Sequence, residues 1–345
     1  MTEPYISVII SAFNRRNYLR DAVASVKRQT LGVDHFEVIF LTNFEVEPEL
    51  LVDLNSRQLH SSEREGPAIA YAIEEAVGEI VCFLDDDDIW ESTKLESVYS
   101  QFRTDLTIGY YHNNISVINE QGGVSKSPIY RSGINKMSKL QRIEVDATKA
   151  TFRDIRRLVN LAIDFNNSSI SILRSVLLKR LEELRTSYSS MDTFFFYSAL
   201  ASNYKIVGDG TILTKYRLHS KNTSGASSFS EVTLPRESMY MKGKSEFNKK
   251  VTSQHRHLLQ TLGPCSQAIK RSIECVIADD VLESYWLGNI VHRRVMLIDI
   301  LHYLKYLSRY EFGYNLKLII FSLTYLLMPT TAQRMFLRRY YEPLE

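Results

Sequence analysis

EIVCFLDDDDIW, residues 79–90, joins a short apolar run to four consecutive aspartates. The run Glu79 to Leu84 has the length and character of a buried strand in a parallel sheet. The aspartates that follow are costly to place together, because like charges in one loop repel and raise one another's pKa values. A bound divalent cation removes that cost. Carboxylate oxygens are the ligands a hard cation such as Mg²⁺ or Mn²⁺ prefers, with substrate phosphates completing the shell. The C-terminal end of a parallel strand is also where α/β folds bind their ligands. The competing reading is an exposed acidic loop capping a helix that starts near Glu91. Asp86 or Asp88 suits that lesser role, while for the group as a whole the metal reading outweighs it.

On the N-terminal side, YISVIIS (5–11) reads as a first buried strand. The polar residues 12–17 follow, and Tyr18 to Gln29 sets Tyr18, Leu19, Ala22, Val23 and Val26 at helical spacing. Phe36 to Leu41 is a second strand and Ala68 to Val77 a second helix. This alternation predicts an α/β fold, a Rossmann-like mostly parallel sheet flanked by helices. On the C-terminal side, Ile108 to Ile118 reads as a strand, and the Gly/Ser-rich segment Asn119 to Ser138 as a loop, either a lid or an insertion. Helical patterns cover Thr148 to Leu161, Ile172 to Leu184 and MDTFFFYSAL (191–200), followed by a short strand at Tyr204 to Val207. Ser220 to Lys249 is polar, with a single proline, Pro235, and marks the best domain boundary. The expected organisation is residues 1–224 as the catalytic domain, 225–250 as a linker or active-site cover, and 251–345 as a mainly helical extension.

The densest apolar stretch of that extension, LKLIIFSLTYLLM (316–328), spans 13 residues, short of the roughly 20 needed to cross a bilayer. Residues 291–341 carry eight Lys or Arg against two acids, Asp299 and Glu311. A basic, aromatic and apolar helix suits a membrane interface, and a core helix or a homo-oligomer interface would leave the same apolar stretch. A net charge of +2 over 345 residues gives no reason to expect a nucleic-acid partner. Cys82, Cys265 and Cys275 are too few and scattered for a disulfide framework or a thiolate metal site, which fits a reducing compartment. The N-terminus lacks the pattern of a secretory signal. The expected location is cytoplasmic, peripheral on the cytoplasmic face of a membrane.

The stretches ISVIISAFNRRNYLRDAVASVKRQT, FEVIFL, AVGEIVCFLDDDDIW, MDTFFFYSALASNYKI and YRLHSKNTS, in that order over Tyr5 to Ser224, resemble inverting family 2 glycosyltransferases of GT-A fold. The resemblance matches the family's DxD element to Asp85 and Asp87. It implies that Asp87 binds Mn²⁺ or Mg²⁺ directly, that Asp85 engages the ribose or the metal shell with Asp88 as a helper, and that Asp86 belongs with the donor-binding residues. The family's catalytic base falls on Asp192, where the usual ED pair reads Met191-Asp192. The residue-level alternative is a helix N-terminal charge. The matching histidine, His219, would help hold metal and diphosphate. Arg217 would contact phosphate or make a structural salt bridge. Ala12, Phe13 and Arg15 follow the first strand where the family binds base and ribose. The position that usually carries a base-recognising Asp is Thr42, followed by Asn43, which is kept among the donor-binding residues. The family's Ala-Arg-Asn element is replaced by Ala68-Ile69-Ala70. These departures leave the donor base open, with a UDP-sugar as the expected donor.

The resemblance thus implies transfer of a sugar from a nucleotide-sugar to a hydroxyl of a glycan. The acceptor would meet Asn166 to Arg174, through Asn167 and Ser168, which also make ordinary turns. A membrane-bound extension would make a polyprenyl-linked glycan the acceptor. Two other classes compete: a catalytically degenerate sugar-binding or scaffold protein, supported by the changes at Thr42 and Ile69, and a membrane-associated structural partner acting through Tyr285 to Tyr341. A nucleotidyltransferase would use paired acids but gives no reason for the MDTFFF and YRLH segments.

Overall fold

The computed structural model describes residues 4–63, 65–125, 131–219, 222, 249–263 and 265–288. The first βα unit forms as its pattern predicts: β1 (Ile6–Ala12) is almost wholly buried, and α1 (Leu19–Lys27) buries Leu19, Ala22, Val23 and Val26 on one face. β2 (Phe36–Thr42) is buried along its whole length. After the short α2 (Pro48–Leu51) the chain adds β3 (Ser56–His60), then α3 (Gly66–Glu75) and β4 (Ile80–Asp85). These four strands are parallel, in the order β3-β2-β1-β4.

Beyond β4 the sheet is mixed. A two-residue strand, β5 (Ile89–Trp90), precedes α4 (Lys94–Thr104) and the long β6 (Ile108–Ile118). Next come α5 (Arg131–Leu140), β7 (Arg142–Asp146), α6 (Phe152–Asn160) and β8 (Ile170–Leu173). The short α7 (Arg174–Leu178) and α8 (Leu181–Arg185) lead to α9 (Met191–Ala201) and β9 (Lys205–Arg217). The strand order continues β4-β8-β6-β9-β5, with β7 also pairing β9. β8 runs antiparallel to both neighbours, and β9 runs parallel to β6 but antiparallel to β5 and β7. The fold is therefore a GT-A-like, mostly parallel sheet flanked by helices, followed by a helical extension of α10 (residues 249–261) and α11 (Gln267–Gly288).

Several elements differ from the sequence expectation. The segment 119–138 is not loop throughout, since α5 begins at Arg131 and buries Met137. The helical reading of Ile172 to Leu184 overlaps β8, a four-residue buried strand that periodicity cannot tell from a helix segment. The strand expected at Tyr204 to Val207 runs on to Arg217. Gly208 and Gly210 look like a strand end in sequence but mark close approach instead: a Cβ on Gly210 would lie 2.8 Å from the Met137 carbonyl oxygen.

The described residues fall into two compact units. One holds those up to 125 with 131–217 and 260–269, and thus the whole sheet; the other holds 218, 219, 222, 249–259 and 270–288. The core of the first unit is the layer between β1, β2, β4, α1 and α4, including Val8, Ile10, Phe40, Leu84, Trp90 and Phe102. On the other side of the sheet α9 buries Phe194, Phe195 and Phe196, with Phe195 stacked on Phe83 of β4 at 4.3 Å. No helix among the described residues is long and apolar enough to cross a membrane. The expected cover (225–250) lies almost wholly outside the described residues, as does the basic-aromatic segment 291–341.

Candidate active site

Asp85 is the last residue of β4, and the chain turns through Asp86 and Asp87 before re-entering the sheet as β5. The Asp88 N–H donates to the Asp85 carbonyl at 3.2 Å, closing the turn. Ile89 and Trp90 then pair with Lys215 and Thr214 of β9. Strand pairing thus pins the acidic turn at both ends, which leaves it no slack. Within it, one carboxylate oxygen from each of Asp85, Asp87 and Asp88 lies within 4.8 Å of the others.

Each aspartate has its own partners. Ser11 Oγ, at the end of β1, donates to Asp85 Oδ1 at 3.3 Å, and the Asp85 N–H donates to Ser168 Oγ at 3.0 Å. Arg15 Nε donates to both Asp86 oxygens, at 3.1 and 3.0 Å, and its Nη2 reaches Asp87 Oδ2 at 2.6 Å. Asp88, 1% exposed, accepts from Asn166 Nδ2 at 2.9 Å through Oδ2 and from the Arg217 N–H at 3.0 Å through Oδ1. Asp86 and Asp88, either of which the sequence suits to a capping role, both bond to protein partners here.

Burial, and after it the charges of Asp88, Asp87 and Asp86, pushes the Asp85 carboxyl well above the usual carboxylate range, with Arg15 opposing. Burial and the Asp87 charge push Asp88 up to about 7, against hydrogen bonds from Asn166, Ser168 and the Arg217 backbone that favour its ionised form. Asp85 and Asp88 resist ionisation without a counter-charge, which together with an all-oxygen donor set fits a hard divalent cation, and Asp85, Asp87 and Asp88 are the residues that would hold it.

Arg217, at the end of β9, is 1% exposed, and its guanidinium faces inward. Nε donates to the Asp87 carbonyl at 2.8 Å, Nη1 to the Glu120 carbonyl at 2.7 Å and Nη2 to Asp21 Oδ2 at 2.8 Å, with the group 4.5 Å from the Tyr18 ring centroid. Of the two expectations for this fork, phosphate contact or a structural salt bridge, the ion pair with Asp21 matches the second, and the same group clamps the backbone of the acidic turn. His219 belongs to the second unit, where it is buried and its N–H donates to Asn222 Oδ1 at 2.6 Å.

Asp192 sits in the first turn of α9, where the dipole favours a carboxylate. Its Oδ1 accepts the Thr193 N–H at 2.9 Å and its Oδ2 the Asn166 N–H at 3.1 Å. Asn166 therefore touches both the acidic turn and Asp192. Sequence reading placed it at the edge of the acceptor segment and missed this role; an Asn-Asn pair ahead of Ser168-Ser169 is its only local signal. Ser168, read as a sugar contact, is buried instead, its carbonyl receiving Trp90 Nε1 at 2.7 Å.

At the end of β1, Ala12 is buried beside Thr42 in register, and Phe13 is half-buried. Asn14 follows with φ of 55°; its N–H donates to Asn43 Oδ1 at 2.9 Å and its Oδ1 accepts from Asn43 Nδ2 at 2.6 Å. Thr42 Oγ1 is held by Gln58 at 2.7 Å. Ala68, Ile69 and Ala70 are buried on α3 as core residues.

The sequence model of glycosyl transferase family 2 matches residues 7–165. A putative teichuronic acid biosynthesis glycosyltransferase, TuaG, of Bacillus subtilis is 30% identical over 129 residues, covering 35% of this chain and 50% of its own. The matched regions span half or less of the curated relatives' lengths. Among solved structures, S. aureus TarS 1–349 in complex with UDP-GlcNAc superposes with a TM-score of 0.53 at 15% identity, covering 97% of this chain and 87% of that one. The mannosyltransferase PcManGT of Pyrobaculum calidifontis, in complex with GDP-Man and Mn²⁺, gives 0.50 at 12% identity, covering 95% and 88%. At these identities the structural likeness concerns the fold, which is GT-A-like, and the family match concerns residues 7–165: this stretch, with β1 to β4 and the acidic turn within it, is similar to the domain of family 2 glycosyltransferases.

Proposed function

We propose that the protein is an inverting, metal-dependent glycosyltransferase that moves a sugar from a nucleotide-diphosphate sugar to a hydroxyl of a glycan acceptor. The observation that carries this reading is the joining of the Asp85-Asp87-Asp88 cluster to Asp192 through one residue, Asn166. Asp87 and Asp85 would hold Mn²⁺ or Mg²⁺, with Asp88 beside them. The cation's contribution is to offset charge on the diphosphate leaving group. Arg15, with a partly exposed guanidinium against Asp86 and Asp87, is suited to exchange a carboxylate for a donor oxygen. Arg217 would act from beneath, fixing the Asp87 backbone. Ala12, Phe13 and Asn43 line the end of β1 and β2 where base and ribose would lie. Asp192, its plane fixed by two backbone N–H groups, would take the proton from the acceptor hydroxyl as that oxygen attacks the anomeric carbon opposite the leaving group.

A UDP-sugar is the expected donor. The acceptor is proposed to be a glycan on a polyprenyl carrier, met at the cytoplasmic membrane surface that the basic and aromatic composition of residues 291–341 suits. Self-association through the same segment is the alternative use. A degenerate sugar-binding protein is the second reading, favoured by the burial of Ile69 where the family carries an arginine.

Nucleotide release from UDP-, GDP- and dTDP-sugars is the test, with and without Mn²⁺ or Mg²⁺ and with detergent-solubilised lipid-linked glycans as acceptors. Metal-dependent release from one donor that vanishes in Asp87→Asn is the expected result. A folded protein that releases nucleotide from none of them sinks the enzyme reading in favour of the degenerate one.

A further inference from the structure

Asn166 is 4% exposed and has φ of 69° and ψ of 107°, a backbone conformation that side-chain-bearing residues seldom adopt and that asparagine tolerates better than most. Such a conformation persists only where the surroundings over-determine it. Here the surroundings are the two halves of the candidate site. The backbone N–H of Asn166 donates to Asp192 Oδ2 at 3.1 Å, while its side-chain Nδ2 donates to Asp88 Oδ2 at 2.9 Å. Ser169 Oγ donates to Asn166 Oδ1 at 2.8 Å, which fixes which end of the amide faces Asp88.

The turn that follows is bonded to three of the strands around the acidic loop, β4, β5 and β9. Ser168 Oγ receives the Asp85 N–H at the end of β4; its carbonyl receives Trp90 Nε1 from β5 and Thr214 Oγ1 from β9, at 2.7 and 3.1 Å. The buried Lys94 donates to the Ser169 carbonyl at 3.3 Å. A shift of this turn would therefore move the acidic loop and Asp192 together, and loss of the Asn166 amide would let them move apart. From this geometry we infer that Asn166 is a positioning residue, which sets the acidic loop against Asp192 by holding Asp88 with its side chain and Asp192 with its backbone. The inference rests on the glycosyltransferase reading, since it assigns Asn166 to the same site.

Asn166→Gly separates the two links, because glycine keeps the positive φ and the N–H to Asp192 while removing the amide from Asp88. Wild type, Asn166→Gly, Asp88→Asn and the double variant would be compared in Mn²⁺ affinity, read by the paramagnetic resonance of free Mn²⁺ with UDP present, and in nucleotide release across the donor panel. We expect Asn166→Gly to weaken Mn²⁺ binding about tenfold and release by about 10- to 100-fold, the usual range for a residue that orients a metal ligand. In the Asp88→Asn background the same substitution should add less than about twofold, since both changes break one bond. Full multiplication of the two effects, as a merely structural role would give, overturns the inference. Should Asn166→Gly not fold, Ser169→Ala loosens the amide without touching the backbone conformation, and unchanged Mn²⁺ affinity there overturns it as well. Asp87→Asn separates the two levels of failure: if it retains metal-dependent release, the transferase reading falls and the positioning role with it, whereas an inactive Asp87→Asn beside multiplicative Asn166 effects removes the positioning role alone.

Discussion

Asp88 joins the metal question to pH. Its folded-state pKa of about 7 lies above the ordinary carboxylate value, so between about pH 4 and 7 the folded protein binds more protons than the unfolded chain. In the absence of metal this contribution to stability is present at low pH and is lost as pH rises through 7. Denaturant unfolding in EDTA should therefore show wild type falling behind Asp88→Asn as pH increases from 4 to 7. His112, whose pKa burial lowers to about 4, contributes alike to both proteins and cancels. Metal binding must displace this proton together with the one that burial favours on Asp85, so Mn²⁺ affinity should climb as pH rises toward and through 7; a flat titration would remove both from the ligand shell. Arg217 makes a second prediction. Lysine keeps the charge but cannot reach the Asp87 and Glu120 carbonyls and Asp21 together, so Arg217→Lys should cost about 1–3 kcal/mol in chemical denaturation by leaving the carbonyl of the buried Asp87 unpaired. Asp192→Asn turns an amide NH2 toward one of the two backbone N–H groups that Asp192 accepts, so it should cost about 1–3 kcal/mol in stability while lowering sugar transfer about 10²- to 10⁴-fold.

Among the elements, those legible in sequence are the ones whose stabilisation is local or whose burial is complete on a recognisable period. β1, β2 and β4 announce themselves as apolar runs, α1 by its single buried face and α9 by its aromatic density. The acidic turn was legible because four adjacent carboxylates are rare without a reason. β5, β7 and β8 were not, since two to five residues carry too little periodicity and their identity as strands comes from distant partners on β9, β4 and β6. The inward role of Arg217 and the bridging role of Asn166 were hidden for the same reason: each is fixed by residues roughly 80 to 200 positions away in the chain. α6 is a local case and gives a local prediction. Thr151 accepts the Asp154 N–H while Asp154 accepts the Thr151 N–H at 3.0 Å; Thr151→Ala should cost about 1 kcal/mol, with nucleotide release unchanged.

At the scale of the whole molecule, folding gathers the acidic turn, Arg15, Asn166 and Asp192 into one compact unit, and ligand binding should be felt as global stability. Mn²⁺ with UDP at about one hundred times its dissociation constant should stabilise the protein by about 2.7 kcal/mol. Thermal unfolding of wild type should move up accordingly and that of Asp87→Asn should not; equal shifts would place the cation elsewhere. The sheet that carries the site has one further consequence. It begins at β3, where Arg57 is ion-paired to Glu37 and His60 is exposed, and its path ends at β5, two residues long. A charged margin on one side, and on the other the two-residue β5 and the five-residue β7 with Arg142, Glu144 and Asp146 exposed, give a second chain little backbone to pair with, so neither margin is a template for intermolecular strand addition. The repulsion concentrated in the acidic turn can thus be carried in a metal-free protein without that sheet becoming a nucleus for aggregation.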